Sequence, residues 1–372
     1  MPHPGNPWTI LHTEASDGWG GQEIRIFTES SWMREQGHRV LIAAPRHSSI
    51  YQRAEAAQFE VRHFSFTQQS KIFDTFRLLA FLRQAKPQII GTHSSTDSWA
   101  GLVAGKIAGV RTVRYRHIST PVAPNFFNKL LYRKFSDHVI TTGECIRQPL
   151  IHDLGLRPEK VTVVATGIKP PLSLPERNSA RLALSTKLNL PPHSRFIGCV
   201  AVLRSWKGQN ILMEAFDQIA SRYPDLHLVF VGEGLGREWL TGVREKLASK
   251  SRIHLIGHQS DPWPWFCAFE IALLVSTRFE GIPQSLLQAM FAKTAVIGSD
   301  IGGIPEIVLN GQTGLIVPGG NSARLAEALV RVLSNPLLAN EMVDRAYQMV
   351  HSRHTLERMG HSVSNIFKRL LS

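Results

Sequence analysis

The same order of segments occurs twice in this chain, and the repetition limits the folds it can adopt. A strand pattern at 8–11 leads through the glycine-rich loop 18–21 to a helical pattern at about 22–36 and a further strand at 39–44. The order strand, loop, helix, strand starts again near residue 195. Short apolar runs that alternate with helical patterns are typical of βαβ units and parallel sheets. The sequence therefore predicts an α/β fold with two doubly wound domains.

The chain length supports two domains, because 372 residues exceed what one ordinary core holds. The predicted domains are residues 1–168 and residues 169–354, facing each other across a cleft. The boundary lies in the proline-rich stretch 169–195. The last helical pattern, at 355–372, could pack back onto the first domain.

Charge and composition narrow the classes of partner. The formal net charge is +13 and the pI is about 10.0, which favours nucleic acid, an acidic lipid surface or a phosphorylated substrate. The three cysteines match no metal or disulfide spacing, so we interpret them as core residues in a reducing compartment: Cys145, Cys199 and Cys267. Residues 1–8 lack the pattern of a secretion signal, and no apolar run approaches the roughly 18 residues of a membrane span. We expect a cytoplasmic protein.

A glycine- and proline-broken loop in the second half is the strongest candidate for a site. The strand pattern at 271–275 ends in the loop Glu280–Pro283, which opens a helix. Ligands of open α/β sheets bind outside the carboxyl ends of strands. The first amides of the helix, those of Gln284 and Ser285, lack partners within it and attract anions. A lone carboxylate is often a capping or surface group, but here we predict a phosphorylated ligand whose hydroxyl groups donate to Glu280.

Two further loops follow strands and carry residues suited to a phosphorylated ligand. Arg204 and Lys207 lie in the basic loop after the strand at 196–202, where two cations would neutralise a diphosphate. Solvated surface cations are the alternative. Gly20 and Gly21 are predicted to form a tight turn that lets the backbone approach a ligand from the opposite wall of the cleft.

Two of the sixteen histidines, His93 and His117, each follow a short strand. That position predicts side chains that face the cleft, where a neutral imidazole can bond a sugar hydroxyl. His93 is assigned to the acceptor side or cleft. No Asp-x-Asp triplet or metal-spaced cluster occurs in the sequence, so no metal site is predicted.

Two segments, 71–83 and 126–135, are basic and aromatic together. Ordinary amphipathic helices that face the core are one interpretation of both. The second segment, with Phe126 and Phe127 beside basic residues, also suits a helix that lies on an anionic membrane.

The motifs taken together resemble the retaining family-4 glycosyltransferases of the GT-B fold, over almost the whole chain. The N-terminal half is similar to bacterial lipopolysaccharide or surface-polysaccharide members. The matching pieces are Gly20-Gly21, Gly37–Val40, Thr166–Ile168, Lys207-Gly208, Val231–Gly234, Glu280–Pro283, Gly302–Glu306 and Thr313–Pro318.

The resemblance implies roles for the loop around Glu280. Glu280 is similar to the first acid of the family's Glu-x7-Glu motif, which contacts the hydroxyls of the donor sugar, and Gly281 and Ile282 belong to the same donor loop. The second acid normally holds the nucleotide ribose, and here that position is Gln288. An amide can still bond a ribose hydroxyl but without the charge assistance of a carboxylate.

The resemblance also assigns residues outside that loop. Lys207 matches the family's phosphate-binding lysine, while Arg204 lies two residues from the place of the usual arginine, at Val202. His117 resembles the histidine near the donor sugar, and His258 aligns with a backbone contact to the base. Lys293 stands where the family usually has glycine after the motif helix, and it needs a left-handed backbone or a different helix end.

The implied reaction moves a sugar, with retention and without a metal or other cofactor, from a nucleotide diphosphate donor to an acceptor hydroxyl. UDP is the family's commonest nucleotide. The implied acceptor is a glycan or glycolipid of lipopolysaccharide or polysaccharide synthesis, and the implied location is cytoplasmic or peripheral on the inner face of the membrane. A sugar-nucleotide epimerase, a phosphorylase and a non-catalytic protein that binds anions or membranes stay open. We do not expect nucleic acid as the partner.

Overall fold

The computed structural model of the protein describes residues 7–372. Residues 1–6, on which most of the secretion-signal expectation rests, lie outside the described part. The chain divides into two compact units. One holds the residues up to Gly167 together with Thr355–Ser372, and the other is Ile168–His354. The predicted division after residue 168 differs from this one by a single position, and the last helical segment belongs to the first unit.

The first unit contains a seven-stranded sheet in which all pairings are parallel. The strand order is β3-β2-β1-β4-β5-β6-β7, so the order reverses between β1 and β4. The elements are β1 Thr9–Thr13, α1 Gly21–Glu35, β2 Arg39–Ala44, α2 Ser49–Ala56, β3 Glu60–His63, α3 Lys71–Ala85, β4 Ile89–Thr92, α4 Ser95–Ala108, β5 Arg111–Arg116, α5 Phe126–Leu130, a π-helical turn Leu131–Phe135, β6 His138–Thr141, α6 Glu144–His152, a 3₁₀ turn Pro158–Lys160 and β7 Val161–Val163.

The second unit has a six-stranded parallel sheet of order β10-β9-β8-β11-β12-β13, which reverses between β8 and β11. Its elements are α7 Arg177–Lys187, β8 Arg195–Val200, a 3₁₀ turn Ser205–Lys207, α8 Gln209–Ile219, β9 Leu226–Val231, α9 Arg237–Arg244, a 3₁₀ turn Lys250–Arg252, β10 Ile253–Gly257, α10 Trp263–Ala268, β11 Ile271–Leu274, α11 Gln284–Phe291, β12 Ala295–Ser299, α12 Ile304–Ile307, β13 Leu315–Val317, α13 Ser322–Leu333 and α14 Pro336–Arg353. The last helix, α15 Leu356–Leu371, returns to the first unit.

Both faces of the first sheet are covered. Ile10 and Leu11 are neighbours in β1, yet they belong to different apolar clusters, because successive side chains of a strand point to opposite faces. One cluster includes the buried stripe of α15, whose apolar residues recur at helical spacing: Leu356, Met359, Val363, Ile366 and Phe367. Because these residues share one face of α15, the helix can bury that face against the first sheet and becomes part of the core of the first unit.

Among the described residues, no helix combines the length and the apolar character needed to cross a membrane.

Gly198, in the middle of β8, allows Phe269 at the end of α10 to pack closely against the second sheet. A Cβ on Gly198 would lie 2.3 Å from Cζ of Phe269, whose side chain is fully buried. We expect Gly198→Ala to lower the free energy of unfolding by about 1–3 kcal/mol through overpacking. Urea denaturation tests this, with Gly242→Ala as the control, since a Cβ there meets no atom within 4 Å. Equal stability of Gly198→Ala and wild type would contradict this account of the packing.

Candidate active site

The loops at the carboxyl edge of the second sheet approach one another so closely that glycine is required. A Cβ on Gly208 would lie 2.0 Å from the carbonyl oxygen of Val275, and one on Gly302 would lie 2.1 Å from that of Glu280. Both glycines have positive φ, 72° and 58°. Residues with a side chain rarely adopt this backbone, so these contacts explain two of the glycines in the motifs. The loops after β8, β11 and β12 therefore form one assembly.

Lys207 and Glu280 meet in that assembly. Lys207 ends the 3₁₀ turn after β8, and its Nζ donates to Oε1 of Glu280. Ser276 Oγ donates to the same oxygen at 2.6 Å. Glu280 is buried, and a buried carboxylate is stable only with such partners. The Oε2 atom takes part in neither of these bonds, so Lys207 and Ser276 hold the carboxylate through one oxygen only.

The helix that follows Glu280 begins at a proline. Pro283 occupies the N-cap position of α11 and has no side-chain acceptor for the first amides. The positive end of the helix dipole at this start favours an anionic ligand. Gln284 and Ser285 form the first turn, and Gln288 lies one turn further along the same face as Gln284.

Phe279, immediately before Glu280, has a left-handed backbone with a φ of 51°. This conformation is uncommon for a bulky residue, and backbone strain of this kind clusters at functional sites. Lys293, after α11, also has a left-handed backbone, with a φ of 55°. The sequence required either this left-handed backbone or a different helix end at Lys293, and the structure has the first of the two. Arg177 Nη2 donates to the Lys293 carbonyl at 2.6 Å and holds the helix end.

Arg204 and His258 lie on loops of the same unit but make other contacts than the Lys207–Glu280 pair. The Arg204 side chain is exposed, and its guanidinium lies 5.1 Å from the ring centroid of Trp206. His258 is exposed in the loop after β10, the edge strand of the sheet, and its carbonyl accepts from Gln259 Nε2 at 2.9 Å.

In the first unit, the Gly20-Gly21 pair does not form the tight turn that the sequence suggested. Gly20 has an extended backbone with a φ of −129° and serves as the N-cap of α1, which starts at Gly21. The Gly20 amide donates to Oε2 of Glu23 at 2.7 Å, so a side chain one turn into the helix fixes its start.

His93 and His117 belong to a chain of three imidazoles at the carboxyl edge of the first sheet. His12 Nδ1 lies 3.0 Å from His93 Nε2, and His93 Nδ1 lies 2.9 Å from His117 Nε2. His93 is buried and lies behind His117, which is half-buried. Gly91 makes room for the chain, since a Cβ there would be 2.9 Å from His12 Nδ1. The three rings extend from adjacent strands, β1, β4 and β5.

Burial keeps these imidazoles neutral. Loss of solvation lowers the pKa of His12 from 6.5 to about 4. It also lowers the pKa of His93 and of His117 well below the ordinary value, and for both rings nearby Arg25 and Arg114 act in the same direction. At neutral pH the three imidazoles are therefore uncharged and interact through hydrogen bonds. Within residues 7–372, no three His, Cys, Asp or Glu side chains converge closely enough to hold a metal ion.

Glu14 is a buried carboxyl group that sequence reasoning missed. It follows β1 directly and accepts from the amides of Ala15 and Ser16, both at 2.8 Å, and from Gln22 Nε2 and Ser94 Oγ. Burial, together with the nearby carboxylates Asp97 and Glu23, raises its pKa to about 8. Its place directly after a strand, like that of His93 and His117, is the signal that could have found it.

Family models match both units of the chain. The model "Glycosyltransferase Family 4" matches residues 19–170, and the model "Glycosyl transferases group 1" matches residues 181–349. The two matches together span most of the sequence. The chain belongs to the family-4 glycosyltransferases, and its fold is GT-B.

Individual relatives of this glycosyltransferase are distant. One component of human phosphatidylinositol N-acetylglucosaminyltransferase is 24% identical over 94% of this chain and 73% of its own. The lipopolysaccharide core biosynthesis mannosyltransferase LpcC of Rhizobium leguminosarum bv. viciae is 25% identical over 48% of this chain and 52% of its own. Among solved structures, Anabaena HepE in complex with UDP has a TM-score of 0.83 at 19% identity, covering 97% of this chain and 100% of that one. The chain spans about half the length of most curated relatives that it matches.

The shifted pKa of His12 predicts how stability depends on pH. Between pH 6.5 and 4, the unfolded chain binds a proton on His12 that the folded protein does not. Stability therefore falls as the pH falls through this window, by up to about 3 kcal/mol from this group. Urea denaturation at pH 7 and pH 4.5 should show a smaller loss for His12→Asn, whose amide can replace Nδ1, than for wild type.

Glu14 and the titrating groups that do not interact with His12 are present in both proteins, so their contributions cancel in the comparison. An equal loss of stability in wild type and His12→Asn would show that His12 does not titrate in this way.

Proposed function

We propose that this glycosyltransferase moves a sugar from a UDP-sugar to a hydroxyl group of a glycan or glycolipid, with retention at the anomeric carbon. The observation that carries the proposal is the Lys207–Glu280 pair beside the start of α11. This arrangement offers a carboxylate for sugar hydroxyls and positive charge for phosphates, at the point where the strand order of the second sheet reverses.

The pair can bind both parts of a donor without first separating. Glu280 is held through Oε1 and can accept from sugar hydroxyls through Oε2. An ammonium group has three donors, so Lys207 can keep its bond to Glu280 and donate to a phosphate oxygen as well. The negative charge on the departing diphosphate grows during reaction. Lys207, Arg204 and the amides of the first turn of α11 are proposed to stabilise it, and the proposal includes no divalent metal.

The base and the ribose contact are proposed from likeness. The HepE structure contains UDP, which supports uridine as the base. Gln288, on the face of α11 shared with Gln284, is proposed to bond the ribose. His258 is proposed to contact the base through its backbone, and His117, Gly20 and Gly21 to contact the donor from the first unit.

We propose front-face transfer, in which the departing phosphate takes the proton of the acceptor hydroxyl. The bond from the anomeric carbon to the phosphate oxygen breaks as the bond to the acceptor oxygen forms, on the same face of the sugar. Glu280 is proposed to bond sugar hydroxyls through Oε2 and not to attack the anomeric carbon, so no covalent glycosyl-enzyme is expected. Trapping of a glycosyl-enzyme would contradict this mechanism.

The proposed acceptor is a glycolipid or polysaccharide intermediate, such as one of lipopolysaccharide synthesis, met at the inner face of the cytoplasmic membrane. The names of two relatives support this class, since one acts in lipopolysaccharide core synthesis and the other carries phosphatidylinositol in its name.

A ligand panel tests the donor half of the proposal. A ligand that binds only the folded state raises the melting temperature. At a ligand concentration of one hundred times the Kd, the free energy of unfolding rises by about 2.7 kcal/mol. We expect stabilisation by UDP and a further gain from one UDP-sugar, with GDP and ADP weaker. In Glu280→Gln the sugar-dependent gain should be lost while the UDP gain persists. Glu341→Gln, an exposed change in the same unit, is the control.

No stabilisation by any nucleotide would contradict the proposed donor. Turnover of the UDP-sugar into another free sugar nucleotide without an acceptor would instead identify an epimerase, and turnover that needs free phosphate would identify a phosphorylase.

Gln288 provides a test that gains rather than loses function. If Gln288 bonds the ribose, Gln288→Glu adds charge to that bond, and we expect the Kd for UDP to fall about tenfold, or about 1.4 kcal/mol. Isothermal titration calorimetry measures this. Gln218→Glu makes the same charge change at an exposed position of α8 and should leave the Kd unchanged. A weaker affinity in Gln288→Glu would place Gln288 away from the ribose.

A further inference from the structure

Two helices of the first unit expose large apolar side chains. In folded proteins such side chains are mostly buried, and a contiguous exposed group marks an interaction site. The exposed residues are Ile72, Phe73 and Phe76 in α3, at 74%, 64% and 68% exposure, and Phe126 and Phe127 in α5, at 72% and 64%. The interpretation of segments 71–83 and 126–135 as helices that face the core therefore holds only for part of each: Leu78 and Leu82 are buried in α3, and Leu131 and Tyr132 in the π-helical turn.

A tryptophan of α4 connects the two groups. Lys71 Nζ lies 4.2 Å from the centroid of the Trp99 ring, and the Trp99 and Phe127 centroids are 6.1 Å apart in an edge-to-face contact. Phe126 packs on Phe127 in the same manner, at 5.8 Å. We call the six residues Ile72, Phe73, Phe76, Trp99, Phe126 and Phe127 the aromatic patch.

The aromatic patch lies at the carboxyl edge of the first sheet. Its residues belong to the N-terminal parts of α3, α4 and α5, which follow β3, β4 and β5 in the chain. Because all pairings in this sheet are parallel, the carboxyl ends of these strands emerge at one edge. His117 follows β5 directly, so the aromatic patch and the half-buried end of the imidazole chain share this edge.

The chain around the aromatic patch is almost purely cationic. The segments 61–88 and 116–136 contain a single carboxyl group, Asp74, which is buried and accepts from the Phe66 amide and Ser70 Oγ. Five lysines and arginines of these segments lie near the carboxyl ends of β3 and β5 or in the first two turns of α3 and α5, on the side of the patch: Arg62, Lys71, Arg77, Arg116 and Lys129. Basic side chains can extend apolar stems over such a surface and keep their charge at a headgroup layer.

We propose that the aromatic patch docks on an anionic lipid bilayer and thereby presents the carboxyl edge of the first unit to a lipid-borne acceptor. Protruding phenylalanines suit insertion at the boundary of headgroups and acyl chains, and the surrounding cations match anionic lipids. Docking requires only the patch and its charges, whereas the acceptor half of the inference rests on the proposed function.

Vesicle co-sedimentation of the full chain tests the docking. We expect binding to vesicles of phosphatidylcholine with 30% phosphatidylglycerol, at least tenfold weaker binding to phosphatidylcholine alone, and weakening between about 0.1 and 0.5 M salt. The variant Phe73→Ser/Phe76→Ser/Phe126→Ser should lose at least tenfold in affinity. Its exposed positions should leave the melting temperature unchanged. Leu172→Ser/Leu337→Ser removes two exposed leucines of the second unit and should bind as wild type does.

Charge reversal gives a second, independent variant. Lys71→Glu/Lys129→Glu, at the starts of α3 and α5, should abolish the preference for anionic vesicles. The docking proposal is overturned if wild type binds no vesicles, if the serine variant binds as wild type does, or if binding ignores lipid charge. A third outcome also overturns it: wild type binds no lipid but forms a concentration-dependent dimer, and the serine variant loses that dimer. The patch would then bind a second copy of the chain.

Nucleotide binding separates this inference from the proposed function. UDP stabilisation of the second unit does not depend on the patch, so the serine variant should retain it. Vesicle binding without any nucleotide effect would support docking and contradict the proposed donor. Nucleotide binding without vesicle binding would support the proposed donor and contradict docking.

Discussion

Parallel alignment of the strands is the constraint on which the rest of this protein depends. In each sheet every strand ends at the same edge, so loops that are far apart in sequence collect there. In the second unit this brings the turn after β8 to the loop after β11, which places Lys207 beside Glu280 although 73 positions separate them. In the first unit it brings together three imidazoles from β1, β4 and β5. The chemistry of each unit follows from this geometry and from the glycines that let the loops touch.

The sequence predicts the elements well wherever burial is uniform. The strands at 39–44 and 226–231 have the predicted limits, since five of the six residues in each are apolar, as expected for strands of a covered parallel sheet. The first strand extends beyond its predicted end at residue 11 to Thr13. His12 and Thr13 are polar in sequence but fully buried, because His12 bonds His93 and Thr13 Oγ1 donates to Asp97 at 2.6 Å. A local pattern cannot show partners that lie more than 80 positions away.

The same limit explains which parts of the candidate site the sequence could supply. Motif spacing identified Lys207 and Glu280, and the end of a strand identified His93 and His117. Contact between particular atoms was beyond reach, so neither the shared Oε1 of Glu280 nor the burial of His93 could be foreseen. Glu14 has no local signature apart from its position after β1, because its partners Ser94 and Gln22 come from other elements. The exposed face of α3 was hidden by a composition that suits a core helix equally well.

The imidazole chain has a direction, and that direction decides what His117 can offer a ligand. The neutral His93 ring uses both nitrogens and has one N–H, so it accepts from one neighbour and donates to the other, and all donation runs the same way. His12 Nε2 is buried without a partner. If the rings donated towards His12, this atom would carry an unpaired N–H, which is a rarer defect in proteins than an unpaired acceptor. Donation towards His117 leaves His12 Nε2 as a lone pair, makes His117 Nε2 the acceptor and puts the remaining proton of His117 on Nδ1. His117 then presents an uncharged N–H donor whose orientation is fixed by His93, which suits a sugar oxygen better than it suits an ammonium group.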